Sequence, residues 1–310
     1  MLEVVLWTTA ILIGLVLLVI SGDKLSDKIV EVARKAGVSS LVISIVLISL
    51  ATTLPELITS AVASYQGATG IALGNALGSI FANIALILGL ATLVRPLKAT
   101  QAAYKNSLVM LASFFLVILL STDGVLSRLD GLVLLGSYVF YLTWLLRKHA
   151  REEGDGIGRG DATPLDYVFL LLLGLVLVLG AKLVVYGGEN IAEAMGVSDF
   201  VIGATIVAIG TSLPEMTNAI YGAVRNRGSI SIGNIIGANI MNALVVLGVA
   251  SLIRPLQTGA SVLTVVLVLA VMLPMTASLK KTRGLGRPLG IYFLAVYIIY
   301  LVLMFSEVEL

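Results

Sequence analysis

The sequence predicts an all-α, polytopic membrane protein with ten transmembrane helices in two inverted five-helix repeats. Three observations carry that expectation. The 310 residues are 58% hydrophobic and 12% charged, with mean hydropathy +1.06, against roughly a quarter charged residues in an ordinary soluble domain. Apolar runs of about 20 residues, enough to cross about 30 Å of hydrocarbon, recur from end to end. The two halves of the chain also match one another at a single fixed offset.

Taken in order, the hydropathy places spans at 2–20, 38–65, 70–94, 104–121, 125–146, 165–188, 197–224, 229–253, 259–278 and 288–305. The first run, "VVLWTTAILIGLVLLVIS", has an acidic start and no small-residue cleavage site, so it reads as a retained helix and not a signal peptide. The longest polar connection, Arg147 to Pro164, follows the fifth span and is rich in Gly and mixed charge, the composition of a flexible linker. The chain divides accordingly into a first repeat at 1–146, a cytoplasmic linker at 147–164 and a second repeat at 165–310. Cysteine is absent and His149, in a polar stretch, is the one histidine. Disulfides, thiolate sites and histidine-based zinc or triad chemistry are thereby excluded.

Lysine and arginine set the orientation, because short inward loops collect them. With the N-terminus outside, 17 of the 20 fall on inward loops, leaving only Arg128, Lys182 and Arg254 outside. Both termini are therefore expected outside the cell membrane.

Gly37–Leu97 aligns without a gap on Gly196–Leu256 at an offset of 159, with 21 of 61 positions identical. Apolar composition alone would match Leu, Ile and Val. It would not match Leu54-Pro55-Glu56 with Leu213-Pro214-Glu215, Gly74-Asn75 with Gly233-Asn234, Asn83 with Asn242, and Arg95-Pro96-Leu97 with Arg254-Pro255-Leu256. Five spans per repeat is an odd number, so the second copy enters the membrane from the opposite side.

Of the 18 acidic residues, 16 sit in loops, at termini or near span ends; Glu56 and Glu215 lie in mid-span. A charge there is costly and marks a functional site by default. A protonated Glu serving only as interhelical glue is a poor account of two at equivalent positions, with no Lys, Arg or His in mid-span to neutralise them. Pro55 and Pro214 cannot donate to the helix ladder, which frees carbonyls about one turn upstream, near Ala51 and Gly210. Freed carbonyls at that depth are tolerable where they line a cavity or coordinate something. Thr52, Thr53, Thr211 and Ser212 add hydroxyls beside each Glu, although such hydroxyls also ease a kink by bonding back to their own helix.

The second element of each repeat reads "GNALGSIFANI" from Gly74 and "GNIIGANIMNA" from Gly233. Glycines spaced by four commonly mark close helix packing. Asn83 and Asn242, each 27 residues after its glutamate, need partners in hydrocarbon, and a small glycine face would let these amides meet the carboxylates. The inventory is all oxygen, which suits hard cations: one Ca2+ with about six to eight ligands, or several Na+. Competition of both ions for one cage would give exchange.

At these residues the chain resembles the Ca2+/cation antiporter superfamily, in its prokaryotic Na+/Ca2+ exchanger branch. That family carries paired inverted repeats, each with a Gly-Thr-Ser-x-Pro-Glu type motif and a later Gly-Asn-x-x-Gly-Ser-x-x-x-Asn/Asp motif. Here they read "ATTLPE" at Ala51–Glu56 and "GTSLPE" at Gly210–Glu215, within motif regions 49–83 and 208–242. The resemblance implies the sodium/calcium exchanger fold, no enzymatic activity and no covalent cofactor. Ca2+ and Na+ would be the transported partners, the lipid bilayer the surroundings, one copy sufficient and nucleic acid no partner. It implies Glu56 and Glu215 as shared central carboxylates, with Thr52, Thr53, Thr211 and Ser212 binding Na+ or Ca2+. The carbonyls of Ser49 and Ala208 would assist, together with Ser79, Asn83 and Asn242. It also implies that the first and sixth helices, 2–35 and 165–195, slide across a rigid core.

The chain departs from the family pattern at Ala51 for Gly, Thr53 for Ser and Ala238 for the serine that would pair with Ser79, which removes one hydroxyl. Asn242 stands where the potassium-dependent branch has an Asp that helps hold K+, so the expectation is K+-independent Na+/Ca2+ exchange. Ca2+/H+ antiport on the same fold is the alternative, since either Glu could titrate. An intramembrane aspartyl-type protease is disfavoured, because both acids are Glu preceded by Pro, and a passive channel is disfavoured by the inverted repeat and broken helices.

Overall fold

A computed structural model describes residues 2–35, 52–149 and 163–306, and within them the chain is helical almost throughout. The helices are α1 (Leu2–Lys35), α2 (Leu54–Gln66), α3 (Thr69–Val94), α4 (Gln101–Leu120), α5 (Arg128–His149) and α6 (Pro164–Met195), followed by α7 in two arms (Asp199–Thr211 and Leu213–Val224), α8 (Gly228–Ile253), α9 (Val262–Thr282) and α10 (Arg287–Ser306). Eight are individually long and apolar enough to cross a membrane, and the bent pair in α7 makes a ninth. The remaining expected span, 38–65, falls within the described residues only from Thr52 onward. Helix α5 runs on to His149; basic residues are adequate helix formers and complement the partial negative charge of a helix C-terminus.

Local chemistry sets several ends. Thr163 caps α6 in a reciprocal box with Asp166, with Pro164 in the first turn, where its missing N–H costs nothing. The left-handed backbone positions recur at the repeat offset: Gly67 (φ 102°) is matched by Asn226 (φ 60°), and Gly124 (φ 88°) by Arg283 (φ 51°). The repeat thus conserves the turns even where it does not conserve the glycine.

Helices α3 and α8 form the centre, with 78% and 83% of their apolar windows buried, against 22% for α1 and 28% for α6. The first arm of α7 lies directly on α3. A Cβ on Gly74 would come within 2.4 Å of the Phe200 carbonyl oxygen, and one on Gly78 within 2.5 Å of that of Ala204, so only glycine permits this approach. Helices α1 and α6 pack on one another in the same way, Gly14 against Gly180. The salt bridge Lys28–Asp166, 2.6 Å, ties them together at one end.

Four two-residue strands, which an all-α expectation omits, join the loops: β1 (Leu97–Lys98), β2 (Val125–Leu126), β3 (Leu256–Gln257) and β4 (Gly284–Leu285). Strand β1 pairs antiparallel with β4, Leu97 opposite Leu285, and β2 with β3, Leu126 opposite Leu256. Adding 159 to the first-half residue of each pair and subtracting 159 from its second-half partner turns one register into the other, so the two ribbons are related by the pseudo-two-fold of the repeats. Loop contacts fall into two sets. Arg128 Nη2 donates to the Ile253 carbonyl and the Thr258 N–H to that of Gly124; the Ala99 N–H donates to the Arg283 carbonyl. Each contact joins loops that the span count assigns to one membrane face.

Candidate functional site

Both glutamates sit in the first turn of a helix that begins in the same way. The residue before that helix is Thr53 (φ −90°, ψ 4°) in one repeat and Ser212 (φ −85°, ψ 10°) in the other. A proline follows two residues later, and the glutamate is the third residue of the new helix. Pro214 offers no N–H to the Gly210 carbonyl, and the arms of α7 meet at 49°. Glu56 and Glu215 are both fully buried, as are Thr53, Thr211 and Ser212.

The side chains then cross between repeats. Ser212 Oγ donates to Glu56 Oε1 at 3.0 Å and lies 3.1 Å from Ser79 Oγ. Thr52 of the first repeat lies beside Glu215 of the second, and the two carboxyl groups are near enough to act on one another electrostatically. Glu56 Oε2 and both oxygens of Glu215 make no hydrogen bond among the described residues. Buried carboxylate oxygens without partners are costly, and a cation at this point would relieve that cost.

Asn75 holds the crossing in register. Its Nδ2 donates to the Glu56 backbone carbonyl (3.1 Å) and to Ser60 Oγ (2.9 Å), while its Oδ1 accepts from Thr211 Oγ1 (3.0 Å). A backbone carbonyl only accepts, so the NH2 end of the amide is fixed there and the oxygen must face Thr211. The Thr211 hydrogen is shared between Asn75 and, at 3.3 Å, the Ala208 carbonyl, which leaves that hydroxyl's lone pairs available as ligands.

Asn83 and Asn242 each open a stretch of wider turns with i→i+5 hydrogen bonds, Asn83–Leu88 and Asn242–Val246, and Gly203–Val207 in α7 is a third. Such turns are uncommon and occur often at functional sites. Asn83 Nδ2 donates to Asn239 Oδ1 (2.9 Å), leaving Asn83 Oδ1 buried and without a partner; Asn242 has neither end of its amide bonded among the described residues.

Glu56, Glu215, Thr53, Thr211, Ser212, Ser79, Asn83 and Asn242 are thus all buried within the helix core. The Ala208 carbonyl accepts from the Ser212 N–H at 3.1 Å. Ser49 and Ala51 lie outside the described residues. Ala238 is fully buried and contributes no oxygen. Sequence reasoning missed Asn75, Ser60 and Asn239. The repeated Gly-Asn pair was the signal for Asn75; Asn239 carried only the cost of an amide in hydrocarbon and no repeat match, because its counterpart at the offset is Ile80. Among the described residues no cluster of three His, Cys, Asp or Glu could hold a metal ion, so the oxygen set here rests on hydroxyls, amides and carbonyls around two carboxylates.

The family model for "Sodium/calcium exchanger protein" matches residues 6–147 and again 165–306. An uncharacterized membrane protein of Methanocaldococcus jannaschii is 38% identical over 289 residues, covering 93% of this chain and 94% of that one. The sodium/calcium exchanger MaX1 of Methanosarcina acetivorans is 31% identical over 342 residues, covering 95% and 97%. Among solved structures, the sodium-calcium exchanger NCX_Mj soaked with Na+ and Sr2+ matches with TM-score 0.65 at 36% identity, covering 96% of this chain and 98% of that one.

Proposed function

This chain belongs to the sodium/calcium exchanger protein family, a multi-pass membrane antiporter of cations with Ca2+ among its substrates and no enzymatic activity, and on that premise we propose that it exchanges Na+ for Ca2+ independently of K+. Glu56 and Glu215 would hold the cation jointly. Thr52, Thr53, Thr211, Ser212 and Ser79, the carbonyls of Ser49 and Ala208, and the amide oxygens of Asn83 and Asn242 would complete the cage. One Ca2+ balances two carboxylates, and Na+ ions distributed over the same oxygens compete with it. The single observation that carries the reading is the crossing of ligands between repeats, Ser212 of one on Glu56 of the other, beside buried carboxylate oxygens that lack partners among the described residues.

The amide at Asn242, in place of a carboxylate, supports independence from K+. Alternating access would come from α1 and α6, paired through Gly14 and Gly180, moving over the buried α3 and α8. The repeats would span 1–146 and 165–310 about a cytoplasmic linker at 147–164, with both termini outside, and one copy would suffice for transport. A second reading, Ca2+/H+ antiport, draws on the same observation, because a buried carboxylate without a countercharge can carry a proton.

The test is 45Ca2+ uptake into proteoliposomes loaded with Na+, K+ or choline, with and without a pH gradient. Exchange with Na+ predicts uptake that requires internal Na+, ignores K+, and disappears in Glu56→Gln and Glu215→Gln. Uptake that follows the pH gradient regardless of Na+ would establish the second reading.

A further inference from the structure

We infer that Asn239 is a positioning residue whose amide commits Asn83 to presenting oxygen, and never nitrogen, to the cation; this rests on the proposed exchange at the Glu56–Glu215 cage. The argument starts from a backbone carbonyl. Asn239 Nδ2 donates to the Ile80 carbonyl at 3.1 Å. A carbonyl can only accept, so this end of the Asn239 amide must be NH2 and the other end must be oxygen. That oxygen meets Asn83 at 2.9 Å, and an acceptor there requires Asn83 to turn its own NH2 toward it. The Asn83 oxygen is thereby the free end, and it is buried without a partner among the described residues. The orientation follows from the chain of donors and acceptors and not from the assignment of either amide alone.

The device breaks the symmetry of the site. At the repeat offset Asn239 corresponds to Ile80, so Asn242 has no matching amide, and both of its polar atoms lack a partner among the described residues. Asn83 is therefore a fixed oxygen ligand, whereas Asn242 can turn its amide with the occupancy of the cage. Asn239 lies in α8 and Asn83 and Ile80 in α3, so the relay also joins the two central helices, one from each repeat.

The experiment compares wild type with Asn239→Ile, Asn239→Asp and Asn239→Ala for Na+-driven 45Ca2+ uptake in proteoliposomes, separating KM from maximal rate. Each purified variant is checked for a monodisperse profile. Isoleucine installs the residue of the other repeat and abolishes the relay, so KM for Ca2+ rises roughly tenfold while the maximal rate holds within about twofold, the scale of one hydrogen bond lost by an oriented ligand. Aspartate keeps an acceptor facing Asn83 in either protonation state, and KM does not rise. Equal KM values in all variants, or an equal rise with Ile and Asp, overturn the inference. If Asn239→Ile does not fold, Asn239→Ala must show the same rise against Asn239→Asp, and its absence is equally fatal. Wild-type protein that moves no Ca2+ is a different result: it removes the exchange reading itself, and this inference with it.

Discussion

Asn75→Ala tests whether the polar crossing is built as described. The substitution removes three fully buried hydrogen bonds: to the Glu56 carbonyl, to Ser60 and from Thr211, at 3.1, 2.9 and 3.0 Å. Side-chain hydrogen bonds inside membrane proteins average about 0.6 kcal/mol, with a maximum near 1.7, so the loss is about 2 kcal/mol and at most about 5. A thermal melt of the purified protein in detergent should fall by on the order of 5 °C. Transport should suffer separately. Without Asn75, the Thr211 hydroxyl keeps only its existing bond to the Ala208 carbonyl, 3.3 Å away, and is no longer held toward the cage, so KM for Ca2+ rises. The repeat supplies the control. Asn234 carries the same Gly-Asn motif, but it is only half-buried and makes no side-chain hydrogen bond among the described residues, so Asn234→Ala should leave the melt within about 1 °C of wild type. Equal shifts from the two variants, or a neutral Asn75→Ala, would refute the reasoning.

Three further outcomes are expected. Lys98→Cys and Gln257→Cys, exposed residues one repeat apart on opposite ribbons, introduce the sole thiol of a chain without cysteine. A membrane-impermeant maleimide should label Gln257→Cys on intact cells and Lys98→Cys only after permeabilisation, and the reverse pattern would invert the proposed orientation. Ala238→Ser restores a hydroxyl opposite Ser79, so half-maximal activation by Na+ should occur at severalfold lower Na+, measured as Na+-dependent 45Ca2+ flux; no change would mean that position 238 does not face the cage. Gly180→Leu places a Cβ 2.9 Å from the Gly14 carbonyl oxygen and forces α1 from α6, so exchange should fall at least tenfold in protein that still purifies as a monodisperse species. Full activity would exclude close α1–α6 packing as a requirement of transport.

Most of the architecture was legible because each signal was loud. Glu56 and Glu215 declare themselves as charges in mid-span, and Pro55 and Pro214 declare the breaks beside them. The ribbons were silent: Leu97-Lys98 and Gly284-Leu285 are two residues each, too short for an alternating pattern to register. The wide turns at Asn83, Gly203 and Asn242 were equally silent, since they follow from how helices seat against one another and not from a local motif. Within the site, reading by symmetry found what the repeats share and passed over what they do not. Asn239 faces an isoleucine at the repeat offset, so its role emerged only from its bond to the Ile80 carbonyl. The glycine spacing of the first repeat did signal close packing: a Cβ on Gly74 would meet the Phe200 carbonyl of α7.

The two ribbons bear on ancestry. In each, both strands come from different halves of the chain, β1 with β4 and β2 with β3, and Ser212 of one half likewise serves Glu56 of the other. Among the described residues every strand pairs with one from the other half, and the Glu56 carboxyl takes its hydroxyl from the other half. A half-length forerunner of five spans could form the same ribbons only with a second identical chain related to it by a two-fold axis, the two inserted in opposite directions across the bilayer. Fusing two such copies freed each to change alone, and Asn239 opposite Ile80, like Ala238 opposite Ser79, is the kind of difference that a homodimer could never have held.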